Sequence, residues 1–349
     1  MRHPSRSTGP EQQLTTVRRV DAAELVTPAL IVEVDSLASN LRTMSEALPG
    51  ARLRPHVKAH KCTSLAARQA ALGHSGFTCA TIAEMEGMAR AGLGDDLLLA
   101  NEVADATRLG ELARRGARVT LAVDSGATVD AAAAGGVREV VIDVNVGLPR
   151  CGCAPEDAGR LADAARGRGI VVRGVMGYEG HVVGLEDRDA RLEQVEVAML
   201  LLVRAHELVG GELVTAGGTG TYDINRWATE IQAGSYALMD SAYSRLGLPF
   251  AQALFVLATV ISVSPGFAVA DCGLKALGMD HGNPSMDGAA VLFCSDEHVT
   301  FVPDRSLRVG DRVRVVPAHV DPTVAYHERL HVVDGDDVLD TWAVDLRGW

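Results

Sequence analysis

No uninterrupted apolar run in this chain approaches the roughly 18 residues that a membrane-spanning helix needs. Positive charge is also in short supply, with 33 Lys and Arg against 45 Asp and Glu, a net charge of −12. Aromatic residues make up only 4% of the chain. A protein that grips a phosphate backbone needs a basic stripe with aromatics set among its charges, and none is present. Membranes and nucleic acids are therefore excluded as partners. The polar stretch over residues 1–13 lacks the apolar core of a secretory signal and reads as a flexible arm. The six cysteines are scattered, and Cys151-Gly152-Cys153 is too tight for a C-x-x-C zinc or redox pair. They read as reduced thiols of a cytoplasmic protein. Repeats of fixed period and low-complexity tracts are absent as well.

What remains is an ordinary globular composition, 47% hydrophobic and 22% charged over 349 residues, enough for one barrel of about 250 residues and a smaller domain. Short β-rich runs alternate with Ala/Leu/Arg-rich helical stretches, the pattern of parallel strands joined by helical crossovers. Barrel strands are expected over 53–58, 76–81, 96–101, 118–124, 139–145, 172–178, 213–217 and 233–236. Helices are expected over 63–72, 82–91, 105–115, 155–168 and 188–209, with 131–136 a helix end or loop. Ahead of them lies a strand over 28–35 and a helix over 36–47, with Asp35 or Ser36 as N-cap. Past about residue 250, strands split by Gly, Pro, Asp and Asn turns indicate an antiparallel β domain. The expected division is an arm over 1–24, a β/α barrel over 25–250 whose first strand is free to pair with the β domain, and the β domain over 251–349.

The carboxyl ends of barrel strands are where reactive side chains gather. Arg54-Pro55-His56-Val57-Lys58-Ala59-His60-Lys61 ends the first strand, and a lysine placed there can form a Schiff base with a carbonyl; a basic surface turn is the plain alternative. Gly217-Gly218-Thr219-Gly220-Thr221 follows the seventh strand, where successive glycines bring backbone N–H groups close to a phosphate, although an ordinary flexible turn has the same composition. Gly234-Ser235-Tyr236 can complete that cradle. Arg150, after the fifth strand, offers fixed donors or a salt bridge on the rim. Tyr178 and His181, after the sixth, suit ring stacking and proton handling, or packing on the rim. In Pro317-Ala318-His319-Val320-Asp321-Pro322, an extended backbone would turn His319 and Asp321 to one side, as two metal ligands or a hydrogen-bonded pair. A further polar cluster, Asp271 to Lys275 and Asp280-His281-Gly282, lines the cleft or caps a β turn.

Together these motifs resemble the fold-type III pyridoxal-phosphate enzymes, in the branch of D-threonine aldolase and D-serine dehydratase, with alanine racemase a more distant relative in architecture. The resemblance runs from about Thr27 to the C-terminus and rests on R-P-H-x-K-x-H-K, G-Y-x-G-H, G-G-T-G-T, E-I-Q-A-G-S-Y and P-x-H-x-D-P. It implies an alanine racemase-like (β/α)8 TIM barrel of the α/β class that binds pyridoxal 5'-phosphate, plus the C-terminal β domain. It places the Schiff-base lysine at Lys58, a cofactor-facing arginine at Arg150, the phosphate on Gly218, Thr219, Gly220, Gly234, Ser235 and Tyr236, and a divalent metal on His319 and Asp321. A homodimer with its sites at the subunit interface is the family's usual state. D-serine dehydratases typically carry a cysteine at the second metal position; Asp321 favours Mn²⁺ or Mg²⁺ over Zn²⁺ and leans toward the aldolases.

The activity so implied is retro-aldol cleavage of a D-β-hydroxy-α-amino acid into glycine and an aldehyde, with His181 taking the hydroxyl proton and Tyr178 beside the cofactor. A dehydratase acting on D-serine or 3-hydroxyaspartate is the alternative on the same fold. A pyridoxal-phosphate-binding regulator would have no use for the β domain or for His319 and Asp321.

Overall fold

The computed structural model describes residues 20–349; residues 1–19, most of the expected arm, lie outside the described residues. Strands Phe77–Cys79, Leu97–Leu99, Val119–Val123, Glu139–Asp143, Val171–Met176, Leu213–Ala216 and Glu230–Ile231 form one parallel sheet in sequence order. Residues 53–56 fill the eighth position, bridging Leu53 to Ile231 on one side and His56 to Thr78 on the other. The Arg54 and His56 amides donate to the Ile231 and Ala233 carbonyls at 2.9 and 3.0 Å, and the Thr78 amide donates to Pro55 at 2.9 Å. The sheet thus closes on itself, with helices such as Thr63–Ala71, Ile82–Arg90 and Arg188–Val209 outside it.

Alternation along the strands sorts the side chains. In Val119–Val123, the odd-numbered valines and Leu121 join the main core, while Ala122 meets Leu98, Val141, Met176 and Leu213 in a separate interior cluster. Where the strands begin, the interior is ionic. Buried Arg54 pairs with Glu230 and Asp96, each at 2.7 Å, and buried Arg173 pairs with Asp96 at 2.7 Å and Glu212 at 2.9 Å. Burial opposes ionisation of Asp96, yet the two guanidiniums hold its carboxyl below the usual range. Gly174 has φ +148°, and a Cβ there would lie 1.9 Å from the Leu213 carbonyl oxygen, so only glycine fits.

A nine-stranded sheet makes up the second layer. Its order is Val20–Asp21, Asp337–Ala343, Arg329–Asp334, Ala29–Glu33, Leu254–Ser264, Phe267–Ala270, Val299–Pro303 and Ala289–Cys294, with Arg312–Val315 also on Leu254–Ser264. Every pair is antiparallel except Ala29–Glu33 with Arg329–Asp334. The N-terminal strand therefore belongs to this sheet, and the chain enters the barrel only afterwards.

Several local expectations are corrected. The ends of two expected strands, 57–58 and 235–236, lie instead in the 3₁₀ turns Val57–Ala59 and Ser235–Ala237, past the last ladder bond from the His56 amide to the Ala233 carbonyl. The stretch 131–136 is a helix end, as expected: it closes the helix Gly126–Gly135, which Gly136 caps at φ +81°. Neither Asp35 nor Ser36 is an N-cap; both lie inside the helix Val34–Ala47, which Glu33 precedes. The His319–Asp321 segment is not extended either. His319 is the N-cap of the helix Val320–Tyr326, and Asp321 stands in its first turn.

Replacing Arg54 with methionine would leave Glu230 and Asp96 partly unpaired inside the barrel. The expected loss of stability is about 3 kcal/mol, read by urea unfolding; a loss below about 1 kcal/mol would show the network to be dispensable.

Candidate active site

At the carboxyl ends of the strands the barrel opens into a cavity of about 670 Å³. Its walls include Lys58, Arg150 and Tyr178, then Gly218, Thr219, Gly234 and Ser235, and from the second sheet's side His281, His319 and Asp321. Residues far apart in sequence are thus brought to one place. His181, Gly220 and Tyr236 are not among the walls. His181 is exposed, close enough to Gly147 that a Cβ there would lie 2.8 Å from its ring. The Tyr236 side chain is buried, its hydroxyl accepting from Gln69 Nε2 at 3.0 Å. Only its backbone serves the loop, donating to Thr219 Oγ1 at 3.0 Å. Gly220 packs so tightly that a Cβ would lie 1.9 Å from the Val183 carbonyl oxygen.

The chain has only three lysines, Lys58, Lys61 and Lys275. Lys61 pairs with buried Glu84, and Lys275 with Glu297 at 2.9 Å. Lys58 is half-buried and makes no ion pair among the described residues. Its Nζ stands 5.6 Å from the centroid of the Tyr178 ring, and the Arg150 guanidinium stands 5.5 Å from the same ring. Burial raises the phenol pKa of Tyr178, with the charge of Lys58 acting the other way.

Two buried histidines flank the lysine. Burial first, then the charges of Lys58 and Lys61, push the pKa of His56 well down. Its Nδ1 accepts from the Lys58 amide at 3.4 Å. Burial likewise lowers His60 to about 4, and its Nδ1 accepts from the Cys62 amide at 3.2 Å.

The glycine-rich loop is shaped by Glu179, a residue that carries no role in the sequence reading although it lies inside the G-Y-x-G-H motif. Fully buried, it accepts from the Gly217 amide at 3.1 Å, Thr221 Oγ1 at 3.0 Å and Asn225 Nδ2 at 3.1 Å. The Gly218 amide turns to Thr221 Oγ1 at 3.1 Å. The amides of Thr219 and Gly220 donate to no acceptor among the described residues, which leaves two N–H groups free for an anion. A Cβ on Gly234 would lie 2.4 Å from the His56 carbonyl oxygen, so glycine is required where this loop crosses the lysine segment.

Asp240 is the other residue that the sequence reading missed, and nothing local marks it. Its buried carboxylate accepts from the Tyr243 and Val320 amides, each at 2.9 Å. It thereby fastens the helix bearing Asp321 to the barrel. Ser235 Oγ donates to Asp321 Oδ2 at 3.4 Å. His319 Nε2 lies 3.7 Å from Asp321 Oδ2, so the pair converges as expected, through a helix N-terminus rather than a strand. Tyr243, also on the cavity wall, has its phenol pKa raised strongly by burial.

The folded-state pKa of His60, about 4, lies below its ordinary 6.5. As pH falls the unfolded chain therefore takes up the proton first. The stabilisation is whole above pH 6.5 and is lost toward pH 4, on the order of 3 kcal/mol. Urea titrations at pH 7 and pH 5 should show this slope in the wild type and a shallower one in His60→Asn, which keeps an acceptor for Cys62. Equal slopes would remove His60 as its source.

The profile of the family described as alanine racemase, N-terminal domain, matches residues 32–259, and that of the putative serine dehydratase domain matches residues 253–333. The chain is 35% identical to a 3-hydroxy-D-aspartate aldolase of Paracoccus denitrificans, covering 94% of both chains. It is 34% identical to a D-threonine aldolase of an Arthrobacter species, covering 97% of this chain and 96% of that one. The crystal structure of D-threonine aldolase from Filomicrobium marinum superposes with a TM-score of 0.88 at 34% identity, covering 93% of this chain and 97% of the other. D-threo-3-hydroxyaspartate dehydratase from Delftia sp. HT23 follows at 0.85 and 29%, covering 94% and 100%. With both parts of its length matched, and its lysine, glycine-rich loop and His–Asp pair on one cavity, this chain belongs to the alanine racemase N-terminal domain family, among the fold-type III pyridoxal-phosphate lyases related to D-threonine aldolase.

Proposed function

We propose that this protein cleaves D-β-hydroxy-α-amino acids of the D-threonine kind to glycine and an aldehyde, using pyridoxal phosphate on Lys58 and a divalent ion on His319 and Asp321. One observation carries the reading: the lysine that has no ion pair among the described residues and the imidazole–carboxylate pair line the same cavity. The residues fit both groups. Free amides and close-approach glycines suit a phosphate, and an imidazole with a carboxylate 3.7 Å away suits a borderline-hard cation such as Mn²⁺ or Mg²⁺, with Zn²⁺ admissible.

When bound, the cofactor supplies a sink for the electron pair left at Cα, and the cation polarises the β-hydroxyl. The protein's part is placement and proton movement. Lys58 would hold the cofactor's carbonyl carbon, and the Thr219 amide with Ser235 would hold its phosphate. Arg150 and Tyr178 bound the ring; a guanidinium is a poor proton donor and leaves the ring nitrogen neutral. Cleavage of Cα–Cβ requires that the β-oxygen lose its proton and that Cα later gain one. His281, on the cavity wall beside His319, would take the first in place of His181, which is not on that wall. The conversion is atom-balanced: one β-hydroxy-α-amino acid becomes one glycine and one aldehyde.

Six unpaired cysteines support a reducing, cytoplasmic setting. A homodimer is supported by an apolar strip on the second sheet, where Phe267, Phe293 and Val302 are 40, 55 and 38% exposed.

Borohydride should fix pyridoxal phosphate onto the peptide containing Lys58, and Lys58→Ala should lose the visible absorbance of the bound cofactor; labelling elsewhere removes Lys58 from this role. In a panel of D-threonine, phenyl-D-serine and D-serine, glycine and an aldehyde are expected from the first two, and chelation should reduce the rate at least tenfold, about 1.4 kcal/mol. Pyruvate and ammonia from D-serine as the main products would instead make the protein a dehydratase.

A further inference from the structure

The loop that follows the strand Phe267–Ala270 aims Asp280 at the back of His319. Gly278 forms a bridge to His319, its amide donates to Thr323 Oγ1 at 2.8 Å, and that hydroxyl donates to the His319 carbonyl at 2.7 Å. A Cβ on Gly278 would lie 2.3 Å from Pro322 Cγ, so the two segments touch backbone to ring. Two residues on, Asp280 Oδ2 stands 2.7 Å from His319 Nδ1. The next residue, His281, lays its ring on that of His319, centroids 3.9 Å apart and planes 8° from parallel.

We infer that Asp280 is a positioning residue for the metal site, holding the proton of His319 on Nδ1 so that the Nε2 lone pair faces Asp321. This rests on the proposed metal pair and adds to it a residue of a different kind. The donor atoms of Asp280, His281 and His319 lie within 4.8 Å of one another, which also suits a direct ligand set. The separations decide between the two. Two ligands of one ion, each about 2.1 Å from it, stand about 3 to 3.5 Å apart. The 2.7 Å between Asp280 and Nδ1 is a hydrogen bond with no room for an ion, whereas the 3.7 Å between Nε2 and Asp321 Oδ2 needs only a slight closing. A carboxylate that accepts from the far nitrogen of a metal-binding imidazole fixes its tautomer and raises its basicity. The stacked His281 ring restricts rotation of the His319 ring.

The test uses the pyridoxal-phosphate-loaded protein with Mn²⁺ alone, free Mn²⁺ being counted by electron paramagnetic resonance. Asp280→Ala should weaken Mn²⁺ binding about 10- to 100-fold, with the cofactor absorbance unchanged. Asp280→Asn retains an acceptor oxygen and should recover most of the affinity. Unchanged Mn²⁺ affinity in Asp280→Ala overturns the inference, as does an Asn variant as weak as Asp321→Ala, which would mark Asp280 as a ligand. If His319→Ala and Asp321→Ala also bind Mn²⁺ like the parent, the fault lies with the metal pair itself rather than with Asp280.

Discussion

Arg54 stands in the first barrel segment, whose ladder to the last strand and whose ladder to the second are each reduced to one isolated bridge. With so few backbone hydrogen bonds available there, its ion pairs to Glu230 and Asp96 supply the directional links that an apolar side chain could not. Burying charge is costly, and such pairs are kept where geometry must be specified rather than where stability is wanted. Arg54 lies four residues ahead of Lys58. Whatever sets its guanidinium also sets where the chain leaves the barrel wall and turns inward, and therefore where the reactive amine stands.

Opposite the lysine, the site is completed by a part of the chain more than 250 residues away. Asp240 binds the first amide of the helix Val320–Tyr326, and Ser241 donates from its backbone to Pro317 at 3.0 Å, so the second domain is fastened to the last barrel segment. Ser235 donates to Asp321, and the amide of the next residue, Tyr236, binds Thr219 of the glycine-rich loop. The cavity therefore has a cationic wall, with Lys58 and Arg150, and an anionic one at Asp321, in a protein whose net charge is −12. An amino acid carries both signs, and a cleft with opposed walls can orient it.

Much of this was legible in the chain itself. Barrel strands two to seven fall where β-branched runs predict them, and the helix Arg188–Val209 has the expected limits. The misses have physical causes. Residues 233–236 look like strand, but the last ladder bond, from the His56 amide, falls on Ala233, and past it the chain turns into the 3₁₀ stretch Ser235–Ala237. Residues 319–321 look extended because proline follows, yet Pro322 is the third residue of a helix, where a missing N–H costs nothing. Tyr236 was read as a phosphate ligand from its place in a motif, whereas its side chain fills the core against Phe250 at 5.7 Å. His181 is exposed and is not among the residues on the cavity wall, although Gly180 and Val183 beside it are.

The sequence by itself determined the reaction class. A lysine, a glycine-rich loop and an imidazole–carboxylate motif, each in its own stretch, carry chemistry that depends on residue type more than on shape. Tertiary structure alone decided which groups serve which. Asp240 sits in an unremarkable local context, while Glu179 and Asp280 lie in motifs that do not give their partners; all three matter because folding presses them against amides and an imidazole from distant segments. Hydrogen bonds are short-ranged and directional, so their partners are set by where the chain returns in space, which spacing along it does not record.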